Sequence, residues 1–144
     1  AKSNRIERTP TDPTALLREI VQRLDPKIVI DSKVAPRSWP LDQGKLRQVL
    51  ENVLNNALHA SNSRVSATIG LDGHTLEYAI RDDGAGIAAG AESTIFEPFY
   101  TERSQGVGLG LAFSRRIVQL HGGTITATNH PDGGAEFRIR IPEV

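Results

Sequence analysis

The chain has 144 residues, 38% of them apolar and 24% charged, which suits one globular domain with a single core. Lys plus Arg and Asp plus Glu number 17 each, and this balance argues against a nucleic-acid partner and against direct contact with an anionic membrane. Cysteine is absent, which excludes disulfides and thiolate metal sites and favours a reducing compartment such as the cytoplasm.

The first residues are polar and interrupted by proline, and we predict a linker from an upstream domain over 1–13 and one domain over 14–144. Methionine is absent even at the start of the chain, which favours an excised fragment. Apolar residues at helical spacing predict a helix over 14–24. Alternating apolar and polar residues predict a strand over 27–34, and prolines bound a short extended piece over 36–40.

A second, longer helix is predicted over residues 43–60, with Asp42 as its N-cap. Two strands are predicted to follow, over 64–71 and 75–81. They are joined at residues 72–73, an Asp-Gly pair that is typical of a hairpin turn.

Residues 82–107 are rich in glycine, alanine and serine and show little periodicity, which is more typical of a functional lid than of a structural connector. A third helix is predicted over 108–120, ending at the glycine pair 122–123. The last strands, 124–129 and 136–141, are predicted to form a hairpin. Helices interspersed with antiparallel hairpins indicate a two-layer α+β sandwich.

The long helix carries amides on the face opposite its apolar residues. Asn52, Asn56 and His59 share that face, and a solvated surface is the simplest interpretation of their spacing. Asparagine is a poor residue for the middle of a helix, however, and a surface that served only for solubility would favour Glu, Lys or Arg. Because an amide oxygen is a suitable ligand for Mg²⁺, a metal-binding face is the alternative.

Residues 82–87 (DDGAGI) come directly after a predicted strand. Their glycines allow a ligand close to the backbone, and Asp82 could accept a hydrogen bond from an amino group. A plain acidic turn is the alternative. The spacing Gly84-x-Gly86-x-x-Ala89 also fits a dinucleotide fingerprint, but neither the apolar helix nor the parallel crossover that this fingerprint requires is predicted here.

Residues 106–111 (GVGLGL) begin the third helix. Exposed amides and the positive end of a helix dipole make a glycine-rich helix start a suitable phosphate cradle, although the Walker pattern is missing. Arg103 and Ser104 lie just before it and could add donors.

No histidine has metal-ligand spacing with carboxylates. His59 alone lies on the predicted ligand face. The other three are expected to be surface or cap residues, namely His74, His121 and His130. Trp39 is expected in the core or at an interface.

Taken in order, these segments resemble the sequence boxes of the histidine kinase ATPase domain, in the superfamily shared with type II topoisomerases, Hsp90 and MutL. The resemblance covers nearly the whole chain from about residue 14. It lies in the asparagine box (46–59), the first glycine box (82–87), the phenylalanine box (95–101), the second glycine box (106–111) and the last glycine box (133–137). It implies the Bergerat fold, a mixed and largely antiparallel sheet with three helices on one face.

The resemblance also implies roles for individual residues. Asp82 would bind the adenine amino group, and Asn56 would coordinate Mg²⁺ with help from Asn52. His59 stands where relatives often carry Lys or Arg, so it would hold phosphates more weakly. Phe96 and Phe99 would anchor a lid. The remaining residues implied to bind ATP are Gly84, Gly86, Ile87, Arg103, Gly106, Val107, Gly108, Leu109, Gly110 and Leu111.

Four positions bear on how closely the chain follows the family. Asp83 replaces a more common Asn. Ala135 stands where many relatives have a Thr that supports the adenine-binding Asp, so that support must come from elsewhere. Asn52 stands where hydrolytic relatives place a Glu that activates water, which favours holding ATP for transfer over hydrolysis. Glu51 lies about 100° round the helix and is a doubtful substitute.

The resemblance implies a protein-histidine kinase that lacks its phosphoacceptor histidine in this chain. Expected partners are the dimerisation and histidine-phosphotransfer domain of the same protein and a response regulator, with the isolated domain a monomer in the cytoplasm and the parent free or membrane-anchored. Two alternatives are a kinase of the same superfamily that phosphorylates a partner's serine, and a degenerate module that keeps the fold only for protein contacts.

Overall fold

The structure is a computed structural model that describes residues 5–35, 37–100 and 110–143. The strands in these ranges are β1 (Thr9–Thr11), β2 (Val29–Ser32), β3 (Trp39–Leu41), β4 (Val65–Asp72), β5 (Thr75–Asp82), β6 (Thr124–Asn129) and β7 (Ala135–Pro142). The helices are α1 (Pro13–Leu24), α2 (Gln43–Ala60) and α3 (Gly110–Leu120), together with a short 3-10 helix at Thr94–Phe96.

Five strands form the main sheet in the order β2-β4-β5-β7-β6. β2 pairs in parallel with β4, and every other neighbouring pair is antiparallel. Alternate residues of β4, β5 and β7 are buried beneath the helices, while the other face carries the ion pairs of Arg138 and Arg140 with Glu77. The predicted mixed, largely antiparallel sandwich is confirmed, and the antiparallel neighbours of β5 exclude the dinucleotide-binding alternative.

Helix α2 matches its predicted bounds, and a local signal defines its start. Asp42 accepts a hydrogen bond from the backbone N–H of Lys45 at 3.1 Å, as an N-cap does. One apolar face of the helix is buried against the sheet, which leaves the amide-bearing face directed away from it. Among the described residues, no helix has both the length and the apolarity that crossing a bilayer requires.

The predicted linker over 1–13 needs correction at its end. Thr9–Thr11 forms β1, which pairs antiparallel with β3, and Thr11 is buried. The backbone N–H of Glu7 also donates to the Asp42 carboxylate at 2.9 Å. The Thr-Pro-Thr segment carries no strand pattern of its own, so only the pairing partner defines this strand.

His121 is predicted from the sequence to be a surface or cap residue; with 1% of its surface exposed it is not a surface residue, and it caps the end of α3 from a buried position. Its Nδ1 donates to the Ile117 carbonyl at 2.9 Å, and its Nε2 accepts from the backbone N–H of Asp42 at 3.0 Å. The chain then turns at Gly122, where φ is +76°, and the Gly123 N–H closes the helix end on the Val118 carbonyl. His121 therefore ties the end of α3 to the start of α2.

This position predicts a pH-dependent stability. Burial lowers the pKa of His121, so the unfolded chain binds a proton that the folded chain resists. The stability that the neutral His121 contributes is fully present above the ordinary histidine pKa of about 6.5. It is lost as the pH falls through the lower pKa of the folded chain. We expect the free energy of unfolding to fall below pH 6.5 with a limiting slope of about 1.4 kcal/mol per pH unit.

Urea unfolding at pH 7.5, 6.5 and 5.5 checks this expectation. His121→Gln keeps an acceptor for Asp42 but cannot titrate, so its slope over this interval should be clearly smaller than that of the wild type. His74→Ala, at a side chain that is 95% exposed, is the matched control and should keep the wild-type slope. Equal slopes in wild type and His121→Gln would show that another group is responsible.

Candidate functional site

A buried carboxylate with one free oxygen lies at the end of β5. Asp82 is only 2% exposed, and its Oδ1 accepts from the backbone N–H groups of Gly84 at 2.8 Å and Ala135 at 3.3 Å. Its Oδ2 is buried and has no hydrogen-bond partner among the described residues. Leaving such an oxygen unpaired costs about 1–3 kcal/mol or more, so this oxygen is suited to a ligand that brings an N–H donor.

Two glycines allow the backbone to close around Asp82. A Cβ on Gly84 would overlap the Ala60 carbonyl at the end of α2, and one on Gly134 would overlap the Asp82 carbonyl. Gly134 also has a φ of +80°, which side chains rarely adopt. The first and last glycine motifs therefore meet at Asp82. The backbone of Ala135 contributes a hydrogen bond to the carboxylate where many relatives are expected to have a threonine.

The described part of the site also contains a residue that sequence reasoning missed, at the end of β6. The Asn129 side chain accepts from the backbone N–H of Ile87 at 2.6 Å and donates to the Ile87 carbonyl at 3.0 Å. The two residues are 42 positions apart, so no local pattern could reveal the contact. The asparagine thus fixes the end of the 82–87 segment.

Asp83 has a structural role that the sequence does not predict, since it is expected there only as a variant of Asn. Its carboxylate accepts from the Ser63 hydroxyl at 2.7 Å and from the backbone N–H groups of Ser63 and Asn62. The hydrogen bond from the Ser63 hydroxyl, with the backbone donors, holds the pKa of Asp83 well below its usual range. Asp83 therefore fastens the glycine segment to the turn that follows α2.

The amide face of α2 points to the start of α3. The Asn52 side chain donates to the Gly110 carbonyl at 3.2 Å and to the Ser114 hydroxyl at 3.4 Å. The Asn56 side chain is half-buried and makes no hydrogen bond to any described residue. His59 is exposed, and its Nδ1 donates to the Asn55 carbonyl at 2.9 Å.

These contacts place the amide face between two glycine motifs. Asn52, Asn56 and Ala60 are spaced by four, so they lie on one stripe of the helix. Asn52 contacts Gly110 at one end of the stripe, and the Ala60 carbonyl abuts Gly84 at the other. Asn56 therefore lies along the helix between the contact with Gly110 and the contact with Gly84.

Glu51 contacts α1 and makes no hydrogen bond or ion pair with the described residues of α3 or of the 82–87 segment. Its carboxylate pairs with Arg23 of α1, and the neighbouring Arg47 pairs with Glu19 of the same helix at 2.8 Å. Glu51 thus belongs to the contact between α1 and α2, which agrees with the expectation that it is a poor substitute for a catalytic base.

The two phenylalanines that are predicted to anchor the lid over 82–107 differ in burial. Phe96 is buried and packs edge-to-face on Phe137 with ring centroids 6.0 Å apart, as an anchor would. Phe99, the other predicted anchor, is 74% exposed and does not pack into the core, so its lid role stays a prediction. A φ of +70° turns Phe99 outward, and Tyr100 packs against the core instead.

Part of the predicted phosphate cradle lies outside the described residues. The positions concerned are Arg103, Gly106, Val107, Gly108 and Leu109. The structure does describe Gly110, which is exposed beside Asn52, and Leu111, which is half-buried against the core.

The donor set is consistent with a metal that is shared with a ligand. In ranges 5–35, 37–100 and 110–143, no three His, Cys or acidic side chains cluster closely enough to hold an ion. Asn52 and Asn56 offer neutral amide oxygens, which are hard donors of the kind that Mg²⁺ accepts alongside phosphates and water. Their number is too small for a complete protein cage.

Comparison with protein families places the chain among known folds. The family described as histidine kinase-, DNA gyrase B-, and HSP90-like ATPase matches residues 41–144. A similar curated protein is the sensor protein KdpD of Escherichia coli, 42% identical over 111 residues, which cover 72% of this chain and 12% of KdpD. The chain thus corresponds to a small part of that relative.

Solved structures give the same result. The catalytic domain of the histidine kinase ThkA superposes with a TM-score of 0.88 at 27% identity, covering 96% of this chain and 97% of that domain. Full-length ShkA in complex with AMPPNP superposes with a TM-score of 0.84 at 29% identity, covering 96% of this chain and 31% of ShkA.

Proposed function

The chain belongs to the family of histidine kinase-, DNA gyrase B- and HSP90-like ATPases, and from this premise we propose that it is the ATP-binding catalytic domain of a two-component sensor histidine kinase. The observation that carries the proposal is the buried Oδ2 of Asp82, which has no hydrogen-bond partner among the described residues and lies next to Gly84, whose backbone packs against the Ala60 carbonyl at the end of α2. The Asp82 oxygen suits a base with an amino group, and the amides of α2 suit a metal-bound phosphate chain.

Asp82 would select adenine. Its free oxygen can accept from the exocyclic amino group, whereas guanine and hypoxanthine present a carbonyl at that position and would leave two acceptors facing each other. Because Asp82 is only 2% exposed, water competes little for its hydrogen bond with the base. The AMPPNP complex of ShkA, which has the same fold, supports an adenine nucleotide.

Asn56 and Asn52 would hold Mg²⁺ through their side-chain oxygens. When bound, the ion would neutralise phosphate charge and orient the terminal phosphate. The Asn52 nitrogen is already committed to Gly110 and Ser114, so its oxygen is the atom left for this task. His59 lies one turn beyond Asn56 and would add only a weak contact to the phosphates.

The described residues favour transfer over hydrolysis. Asn52 carries an amide where a general base would be needed, and Glu51 is turned toward α1. The domain would therefore hold ATP until an external nucleophile reaches the γ-phosphate, with catalysis mainly by positioning and charge neutralisation.

The nucleophile would be a histidine on a dimerisation and phosphotransfer domain, from which a response regulator would receive the phosphoryl group in the cytoplasm. The name of KdpD as a sensor protein and the histidine kinases among the solved structures support this part of the proposal.

The test has two stages. Calorimetry should first show that this chain binds ATP with an affinity that rises when Mg²⁺ is added. Labelled ATP should then be supplied together with the histidine-bearing helical hairpin of the parent protein or of a separately encoded partner. We expect phosphate on the hairpin that is labile in acid and stable in base, as phosphohistidine is.

The alternatives give different results in the same assay. Phosphate that is stable in acid and labile in base would identify a serine kinase. A chain that binds no nucleotide with or without Mg²⁺ would be a degenerate contact module, and the proposed function would be wrong.

A further inference from the structure

We propose that Asn129 is a positioning residue that holds the base-binding end of the nucleotide site in its binding geometry. This inference rests on the proposed function, and it concerns a residue in none of the recognised motifs. It depends on a reciprocal pair of hydrogen bonds between the end of β6 and the backbone of Ile87.

The Asn129 side chain pairs with the backbone of Ile87 as a residue of a neighbouring β-strand would. Asn129 Oδ1 accepts from the Ile87 N–H at 2.6 Å, and Nδ2 donates to the Ile87 carbonyl at 3.0 Å. Both backbone groups of one residue are therefore fixed by one amide, whose acceptor oxygen and donor nitrogen match the Ile87 N–H and carbonyl. This defines the orientation of Ile87, whose side chain packs against the core.

Gly86 is what allows this approach. Its φ is +85°, and a Cβ at this position would lie 2.6 Å from Asn129 Oδ1. A larger residue would thus be strained and would also displace the amide. The asparagine contact therefore depends on the glycine, although 43 positions separate them, from 86 to 129.

The contact between Asn129 and Ile87 complements the contacts at the other end of the 82–87 segment. Residues 82–87 start at Asp82, which is fixed by Gly84 and Ala135, and continue through Asp83, which is fixed by Ser63. Without Asn129, the far end of the segment would keep only the side-chain packing of Ile87 and would lose the hydrogen bonds that fix its backbone. Ile87 and the backbone before it would then be free to move away from a bound base.

The test separates the base end of the site from the phosphate end. Asn129→Ala removes both hydrogen bonds, and Asn129→Asp keeps an acceptor for the Ile87 N–H but sets a carboxylate oxygen against the Ile87 carbonyl. We expect both variants to bind adenosine and ADP about tenfold more weakly, since each loses at least one paired contact. The factor by which Mg²⁺ strengthens ADP binding should stay as in the wild type.

Hydrogen exchange gives a second measurement. The Ile87 amide should exchange at least about tenfold faster in Asn129→Ala, because its acceptor is gone, while amides of the buried strand β5 keep their protection. Thr128→Ala changes the exposed neighbour on the same strand and should leave both the affinity and the Ile87 exchange rate as in the wild type.

The outcomes are distinct. If the wild type binds ADP but Asn129→Ala binds it within twofold as well, the positioning role is wrong while the proposed function stands. Unaltered Ile87 exchange, or an equal loss in Thr128→Ala, would overturn it too. If the wild type binds neither adenosine nor ADP, the proposed function fails and this inference fails with it.

Discussion

Asp82→Asn is expected to weaken ADP binding by about 100-fold, because hydrogen bonds to charged groups contribute about 1.5–3 kcal/mol and the new amide would set a donor against the adenine amino group. Its oxygen can still accept from Gly84 and Ala135, which leaves the NH₂ group in the position of the free Oδ2. Because that group can donate to a carbonyl, the preference for ADP over IDP should shrink or invert.

Calorimetry with ADP and IDP measures both effects. The variant should be at least as stable to urea as the wild type, because a neutral amide costs less to bury than an unpartnered carboxylate oxygen. Asp132→Asn makes the same chemical change at a side chain that is 81% exposed and should alter neither nucleotide affinity. If Asp82→Asn keeps wild-type affinity and preference, Asp82 does not contact the base.

Asn56→Ala is expected to remove the gain in ATP affinity that Mg²⁺ provides. Loss of an outer-shell partner alone costs a metal site about 10–100-fold, so loss of a direct ligand should cost about 100-fold or more. Affinity measured in EDTA should change little, because the base contacts at Asp82 remain. Transfer of phosphate to the histidine hairpin should fall in parallel. This pattern is the opposite of the one expected for Asn129→Ala.

Asn55→Ala is the matched control, since it removes the same side chain from an exposed position one residue away. It should bind Mg-ATP as the wild type does. Both variants replace Asn with the best helix former, so neither should lose helical structure by far-ultraviolet dichroism. If Asn56→Ala still binds ATP more tightly with Mg²⁺ than without it, the metal assignment is wrong and another group holds the ion.

The order of secondary structure was largely predictable because its signals are local. Asp42 and the apolar spacing behind it defined α2, and the glycines after Leu120 defined the end of α3. The candidate site residues of the amide face and of the 82–87 segment could also be proposed from sequence. Their types are unusual for the elements that carry them, and the family resemblance gave them roles.

Other features depended on partners far away in the chain. β1 is a strand only because β3 lies beside it, and Phe99 is exposed because the backbone at that residue is left-handed. His121 is buried because the start of α2 covers it. Nothing in the residues adjacent to these positions distinguishes them from a tail, a core aromatic or a surface cap.

The sequence alone determined which chemical groups are available, namely the amides of α2, the carboxylate at the end of β5 and the glycines that let a ligand approach. The tertiary structure decided which of these groups stay free. It occupies Asp82 Oδ1 and the Asn52 nitrogen while leaving Asp82 Oδ2 and the Asn56 amide without partners among the described residues. Hydrogen bonds between distant segments make that choice, and a linear pattern does not record them.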